Sequence, residues 1–171
     1  GLLLLLGLGP ALTTAAQTPD ISCRNRPALT RTTDINGATA CFTITPVRGS
    51  TALRLDLAVT SGAYDLYVKP GNATSLAAAD KVNVSAATGG LSYVLINPGT
   101  GAYTVAVVRT GRSGAARLSS ITGYAATLKC SGATCTAIYP LTSMPGARYG
   151  DQAILAAAIS KAGRVQVAVT W

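Results

Sequence analysis

The 171-residue chain is expected to fold as an all-β protein, an antiparallel sandwich of jelly-roll-like type with an additional β segment at its C-terminal end. Three observations lead there. Short runs alternate apolar and polar side chains with the two-residue period of a strand, and Gly, Pro, Asn or Asp punctuates the gaps between them. Val, Thr, Ile and Tyr are frequent while Glu is absent and Gln and Lys are scarce, so strand formers dominate and helix formers are few. The runs recur at short spacing without an intervening helical period, which favours a sandwich or barrel over βαβ units.

The elements follow in order. Gly1-Leu-Leu-Leu-Leu-Leu-Gly-Leu-Gly-Pro-Ala-Leu12 is an uncharged apolar run, shorter than the roughly 20 residues of a membrane-spanning helix. Thr14-Ala15-Ala16 follows with the small residues a signal peptidase reads, so residues 1–16 are expected to be the remnant of a secretory signal peptide, cleaved before Gln17. Residues 17–37 read as a polar arm punctuated by Asn25, Pro27, Asp34, Asn36 and Gly37. Cys41-Phe-Thr-Ile-Thr45 alternates and opens the sheet region. Between Ala52 and Thr60, Leu53, Leu55, Leu57 and Val59 form one apolar face, with Arg54 and Asp56 on the other. Tyr64 to Lys69 is the next strand, closed by Pro70-Gly71-Asn72.

Residues 72–90 are expected to be a loop around a short strand, Lys81 to Ser85. Leu91 to Ile96 and Ala102 to Arg109 are strands joined by the turn Asn97-Pro-Gly-Thr-Gly101. Ala116 to Leu128 carries one or two more, with Ile121, Tyr124 and Leu128 as core candidates. Residues 38–129 therefore form the main β-sandwich, and residues 130–171 a partial second β segment. In the latter, residues 143–147 read as a turn. Gln152 to Ile159 and Arg164 to Trp171 are expected to pair as a hairpin across residues 160–163. That tail, with its Val-x-Val-x-Val-x-Trp strand, carries a faint likeness to the first half of an immunoglobulin-like domain.

Charge and composition narrow the chemistry. The formal charge is +8, and there is no histidine, which removes Ser/His/Asp and Cys/His catalysis and the usual ligand of catalytic zinc. Phe42 and Trp171 are the only Phe and Trp, and no reading helix is visible, so the basic residues do not make a nucleic-acid site. A dispersed cationic surface that aids solubility or meets anionic cell-surface polymers fits better. Four cysteines behind a signal-like segment favour disulfides in an oxidising compartment. Three pairings are open, and proximity in sequence favours Cys23–Cys41 and Cys130–Cys135. A zinc site is disfavoured because Cys23 and Cys41 lack ligand spacing and no His is present.

Two stretches carry a family resemblance. Tyr64-Asp-Leu-Tyr-Val resembles the Asp-Leu-Tyr-Val core of the bacterial pre-peptidase C-terminal domain, and Pro98-Gly-Thr-Gly-Ala-Tyr-Thr-Val resembles its Pro-Gly-Thr-Tyr-Tyr-Val turn and strand. Cys41-Phe-Thr-Ile and Leu53-Arg-Leu-Asp-Leu look like its opening strands, so the likeness covers about residues 38–128 in the expected order. Gly101-Ala102 lengthens the usual turn, and residues 72–90 are Ala/Ser-rich where the family often carries cysteines and acids. The resemblance implies a secreted, non-catalytic accessory module of a larger bacterial hydrolase or adhesin. Such a module docks on extracellular protein or polysaccharide, here beside a covalently linked catalytic domain. Related collagen-binding modules hold calcium with clustered acids. Only Asp20 and Asp34 precede the first strand here, which is too few for a strong calcium site, so no cofactor is expected.

Tyr67, Tyr93 and Asp65 are the candidate binding residues. Asp65 is read first as a structural carboxylate that accepts hydrogen bonds from a neighbouring loop. A glycosidase would need two carboxylates across one cleft, and nothing pairs Asp65 with Asp56, so no catalytic residue is assigned. Tyr64, Tyr67, Tyr93 and Tyr103 together offer an aromatic platform. Tyr64 and Tyr67 are three apart and face opposite sides of a strand, with Tyr67 expected outward. The alternative function is a cell-surface or filament subunit whose strands pair between chains.

Overall fold

A computed structural model describes residues 20–82, 85–121, 126–140, 152–160 and 164–170. The segment read as a signal peptide, Tyr124 and the turn at residues 143–147 lie outside them. The described chain is all-β. Its strands are β1 (Ile21–Ser22), β2 (Thr32–Ile35), β3 (Thr39–Ile44), β4 (Ala52–Ser61), β5 (Tyr64–Pro70), β6 (Ser75–Leu76), β7 (Gly89–Ile96), β8 (Tyr103–Arg109), β9 (Ala115–Ile121), β10 (Thr127–Ser131), β11 (Thr134–Pro140), β12 (Gln152–Ser160) and β13 (Val165–Thr170). One 3-10 turn, Ala78–Asp80, precedes β7.

Two antiparallel sheets face each other. One has five strands in the order β13-β7-β4-β9-β2, and the other three in the order β3-β8-β5. The alternation that marks each strand in the sequence supplies the core between them. Leu53, Leu55, Leu57 and Val59 of β4 and Leu91, Tyr93 and Leu95 of β7 meet Phe42 and Ile44 of β3, Tyr64, Leu66 and Val68 of β5, and Tyr103, Val105 and Val107 of β8. Leu55, Leu57, Leu66 and Val105 are fully buried, each worth about 1.5–3 kcal/mol of transfer free energy.

The chain crosses from one sheet to the other between β4 and β5, at Gly62. Its φ is +79°, and an added Cβ would sit 2.6 Å from the Ser113 carbonyl oxygen, so only glycine fits this crossing.

The outer face of the three-stranded sheet is covered in part. β1 and β6 pair across it, and the Cys23–Cys41 disulfide joins β3 to the segment after β1. Cys23, Cys41, Leu76 and Ala106 form a second apolar cluster, with Ile21 and Tyr67 against it. The Cys130–Cys135 disulfide bridges directly paired residues of β10 and β11, which form a separate sheet with β12. Both disulfides join the cysteines nearest in sequence.

The pairing of several strands differs from the sequence expectation. The arm at residues 17–37 supplies two strands, and β2 closes one edge of the five-stranded sheet against β9. The expected β12–β13 hairpin does not form: β12 pairs with β11, whereas β13 runs antiparallel to β7 from Val165↔Ile96 to Thr170↔Leu91. The reason lies in β7, whose residues 90–96 are all buried. A strand buried on both faces must have its backbone N–H and C=O groups paired on both edges, with β4 on one side and β13 on the other. Of the expected strand at residues 81–85, only isolated contacts to the β5 edge are described: Lys81 bridges Tyr67, and the Val82 N–H donates to the Leu66 carbonyl. Leu128, expected in the core, is half-buried.

The polar face of β4 also differs. Arg54 and Asp56 point away from the sandwich core as their spacing requires, but Arg54 is only 1% exposed. Its guanidinium donates to both Asp56 carboxylate oxygens, at 2.8 and 2.6 Å, and the Ser92 hydroxyl donates to Asp56 Oδ1 at 2.7 Å. Val94 and Ile96 on the same face of the sheet are buried as well. The part of this face around Arg54 is therefore covered, whereas Asp34 and Arg117, at the β2–β9 end of the same face, stay exposed.

Candidate functional site

The three candidate residues do not form one site. Asp65 and Tyr67 lie two apart on β5 and face outward from the three-stranded sheet, whereas Tyr93 on β7 points into the core between the sheets. Asp65 is 7% exposed. Its carboxylate accepts from the Ser85 hydroxyl at 2.5 Å and pairs with Lys81 Nζ at 2.8 Å. Both partners come from the loop that lines the β5 edge, the arrangement expected of a structural carboxylate. The hydrogen bond to Asp65 raises the Lys81 pKa above its ordinary value, against a smaller opposing effect of burial. Tyr67 is half-buried against the cluster around Cys23–Cys41, on the opposite face from the fully buried Tyr64. No aromatic platform is left: Tyr64, Tyr93 and Tyr103 are each at most 2% exposed.

Tyr93 does reach a recess. β13 is an edge strand of the five-stranded sheet and β5 an edge strand of the three-stranded one, and a gap lies beside these edges. The gap is a cleft of about 260 Å³, lined by Val68, Pro70, Tyr93, Leu95, Tyr103, Arg164 and Gln166. Its floor is rigid. The Tyr93 hydroxyl donates to Gln166 Oε1 at 3.0 Å, and the Tyr103 hydroxyl donates to the Pro98 carbonyl at 2.5 Å. Burial pushes both phenols up, Tyr93 strongly, while Arg164 opposes the rise at Tyr103, and both stay neutral at physiological pH. Arg164 is exposed at the rim. Among the described residues it makes no hydrogen bond or ion pair, and a side-chain nitrogen lies 3.4 Å from where a Cβ on Gly99 would stand.

A second recess of about 300 Å³ lies at the other edge, lined by residues of β2, β4 and β9 that include Asp34 and Arg117. There the cation is already used, because Arg117 Nε donates to Asp34 Oδ1 at 2.7 Å. Of these two recesses, the β5–β13 cleft is the one whose cation makes no ion pair among the described residues.

Sequence reasoning found Tyr93 and Tyr103 but missed Arg164 and Gln166. The alternation of β13 separates Gln166, Ala168 and Thr170 from the valines, yet it does not say which strand they lie beside. Among the described residues, no three of His, Cys, Asp and Glu gather where a metal ion could be held. No helix among them is long and apolar enough to cross a membrane. No family model matches the chain, and no curated protein or solved structure matches it either.

Proposed function

We propose that the chain is a secreted, non-catalytic binding module that docks on extracellular protein or polysaccharide and serves a larger protein as an accessory. The observation that carries this is the placement of the carboxylates. Asp56 faces outward from the five-stranded sheet and Asp65 outward from the three-stranded sheet, so two packed sheets separate them. A pair of acids that cleaves a glycosidic bond must flank one bond, about 5–10 Å apart across one cleft. Asp34 and Asp80 are likewise committed, to Arg117 and Lys69. With no His and no Glu in the sequence, the described residues offer a proton-transfer mechanism little to work with. Two disulfides are compatible with an oxidising compartment. The resemblance of residues 38–128 to the pre-peptidase C-terminal domain supports the accessory role, in which a docked module raises the local concentration of its attached partner.

The test is retention of the purified protein on a panel of immobilised extracellular proteins and polysaccharides, with hydrolysis of each followed in parallel. Saturable retention on at least one surface without cleavage is the expected result. Cleavage that disappears in a folded Asp65→Asn or Asp56→Asn variant would overturn the reading, and so would a failure to bind any member of the panel.

A further inference from the structure

The cleft between β5 and β13 has an unusual polar balance. Tyr93 donates its O–H to Gln166 Oε1, which leaves the Gln166 NH2 group as the end turned away from that bond. Arg164 adds a guanidinium that has only donors and no protein acceptor among the described residues. Tyr103 spends its proton on Pro98. The charged group at the rim is a donor, and no carboxylate lines the cleft. Val68, Pro70 and Leu95 make the rest of the wall apolar. A cationic rim above an apolar wall complements an anionic acceptor carried on an apolar body. A chain with a formal charge of +8 attracts such an anion over distance as well.

We propose that this cleft is the module's ligand site and that it captures the free C-terminal carboxylate of a peptide chain ending in a small aliphatic residue. The carboxylate meets Arg164 as a two-pronged, charge-assisted pair, helped by the Gln166 NH2, and the aliphatic side chain enters between Val68, Pro70 and Leu95. A cleft of about 260 Å³ holds one residue and not an extended segment. A uronic acid fits less well, because its ring hydroxyls would be desolvated against the apolar wall of Val68, Pro70 and Leu95. The assignment rests on the binding-module reading and specifies the site and the ligand.

The experiment is an amide chemical-shift titration of the disulfide-intact protein with the tripeptide acetyl-Gly-Gly-Leu, either as the free acid or as the C-terminal amide. A parallel titration uses a digalacturonate. The free acid is expected to shift residues 93, 95, 103, 164 and 166, and the amide to leave them in place. Arg164→Gln is expected to weaken binding at least about tenfold. Arg112→Gln, which removes an exposed charge in the β8–β9 turn at the far end of β8, is expected to change nothing. Arg164 is exposed, so the variant's fold is checked simply by its unchanged spectrum elsewhere. Equal binding of acid and amide, tighter binding of the digalacturonate, no shifts at these residues, or an unaffected Arg164→Gln variant would each overturn the assignment. If the cleft is silent while the protein is still retained on its surface panel, the site assignment falls and the binding-module reading stands.

Discussion

Asp56→Ala would leave the Arg54 guanidinium buried without its carboxylate. Arg54 is 1% exposed and Asp56 13%, so water does not readily replace the lost partner. Breaking a buried ion pair from one side costs about 3–5 kcal/mol, because the remaining charge loses this counter-charge in a poorly solvated place. The Ser92 hydroxyl, on a fully buried residue, loses an acceptor in the same step, worth about 1 kcal/mol. A loss of about 4 kcal/mol is a large share of a total stability of about 5–15 kcal/mol. At this chain length it corresponds to a fall of about 10 °C in the thermal midpoint. Urea denaturation followed by far-ultraviolet circular dichroism measures it. The paired control is Asp34→Ala, which removes an ion pair whose members are both 60% exposed and is expected to leave the transition unmoved. An Arg54→Met/Asp56→Ala double variant is expected to regain most of the loss, since it removes both charges of the pair. The reasoning fails if Asp56→Ala loses no more than Asp34→Ala, or if the double variant is the least stable of the set.

Other perturbations test other links. Replacing both Cys23 and Cys41 with Ala is expected to reduce stability by about 3 kcal/mol, from a loop of 18 residues, measured by the same urea transition. The shorter Cys130–Cys135 loop, a separation of 5, is expected to contribute about 2 kcal/mol. Gly114→Ala would place a Cβ 2.8 Å from the Tyr64 hydroxyl and 2.9 Å from the Ser61 carbonyl, so it is expected to lower stability by about 2 kcal/mol. An unchanged midpoint would show that the β8–β9 connection yields more than its packing implies. Alkaline unfolding carries a sign. Tyr93, Tyr103 and Lys81 all hold their protons more tightly in the folded chain than in the unfolded one. Unfolding therefore releases protons, and stability falls as pH rises from about 10 toward the folded values. Tyr93→Phe is expected to flatten that fall, and phenolate absorbance at high pH is expected to show Tyr93 titrating only as the chain unfolds.

The sequence showed strands better than partners. Leu53, Leu55, Leu57 and Val59 announce a buried face, because a two-residue period sorts side chains by face without reference to anything distant. The same period placed Arg54 and Asp56 on the other face, but periodicity does not say what covers a face, and Arg54 is buried there. The β13–β7 pairing was hidden for a related reason. It joins residues about 70 apart, and a local pattern favours the nearer hairpin. The disulfides were legible because each joins neighbours in the sequence. In the candidate site, Tyr93 and Tyr103 stood out as aromatics in strands, yet their hydroxyls turned out to be held and their rings covered. Arg164 passed unnoticed because its interest lies in the gap beside it, at the edges of two sheets.

That same β13–β7 pairing gives synthesis a late deadline. Residues 91–96 emerge from the ribosome long before residues 165–170, the strand that completes their edge. Until then β7 carries an apolar, half-paired rim of the kind that other growing chains can extend. A chain that begins folding early leaves this rim open to such extension for the interval in which the β10–β12 sheet is made.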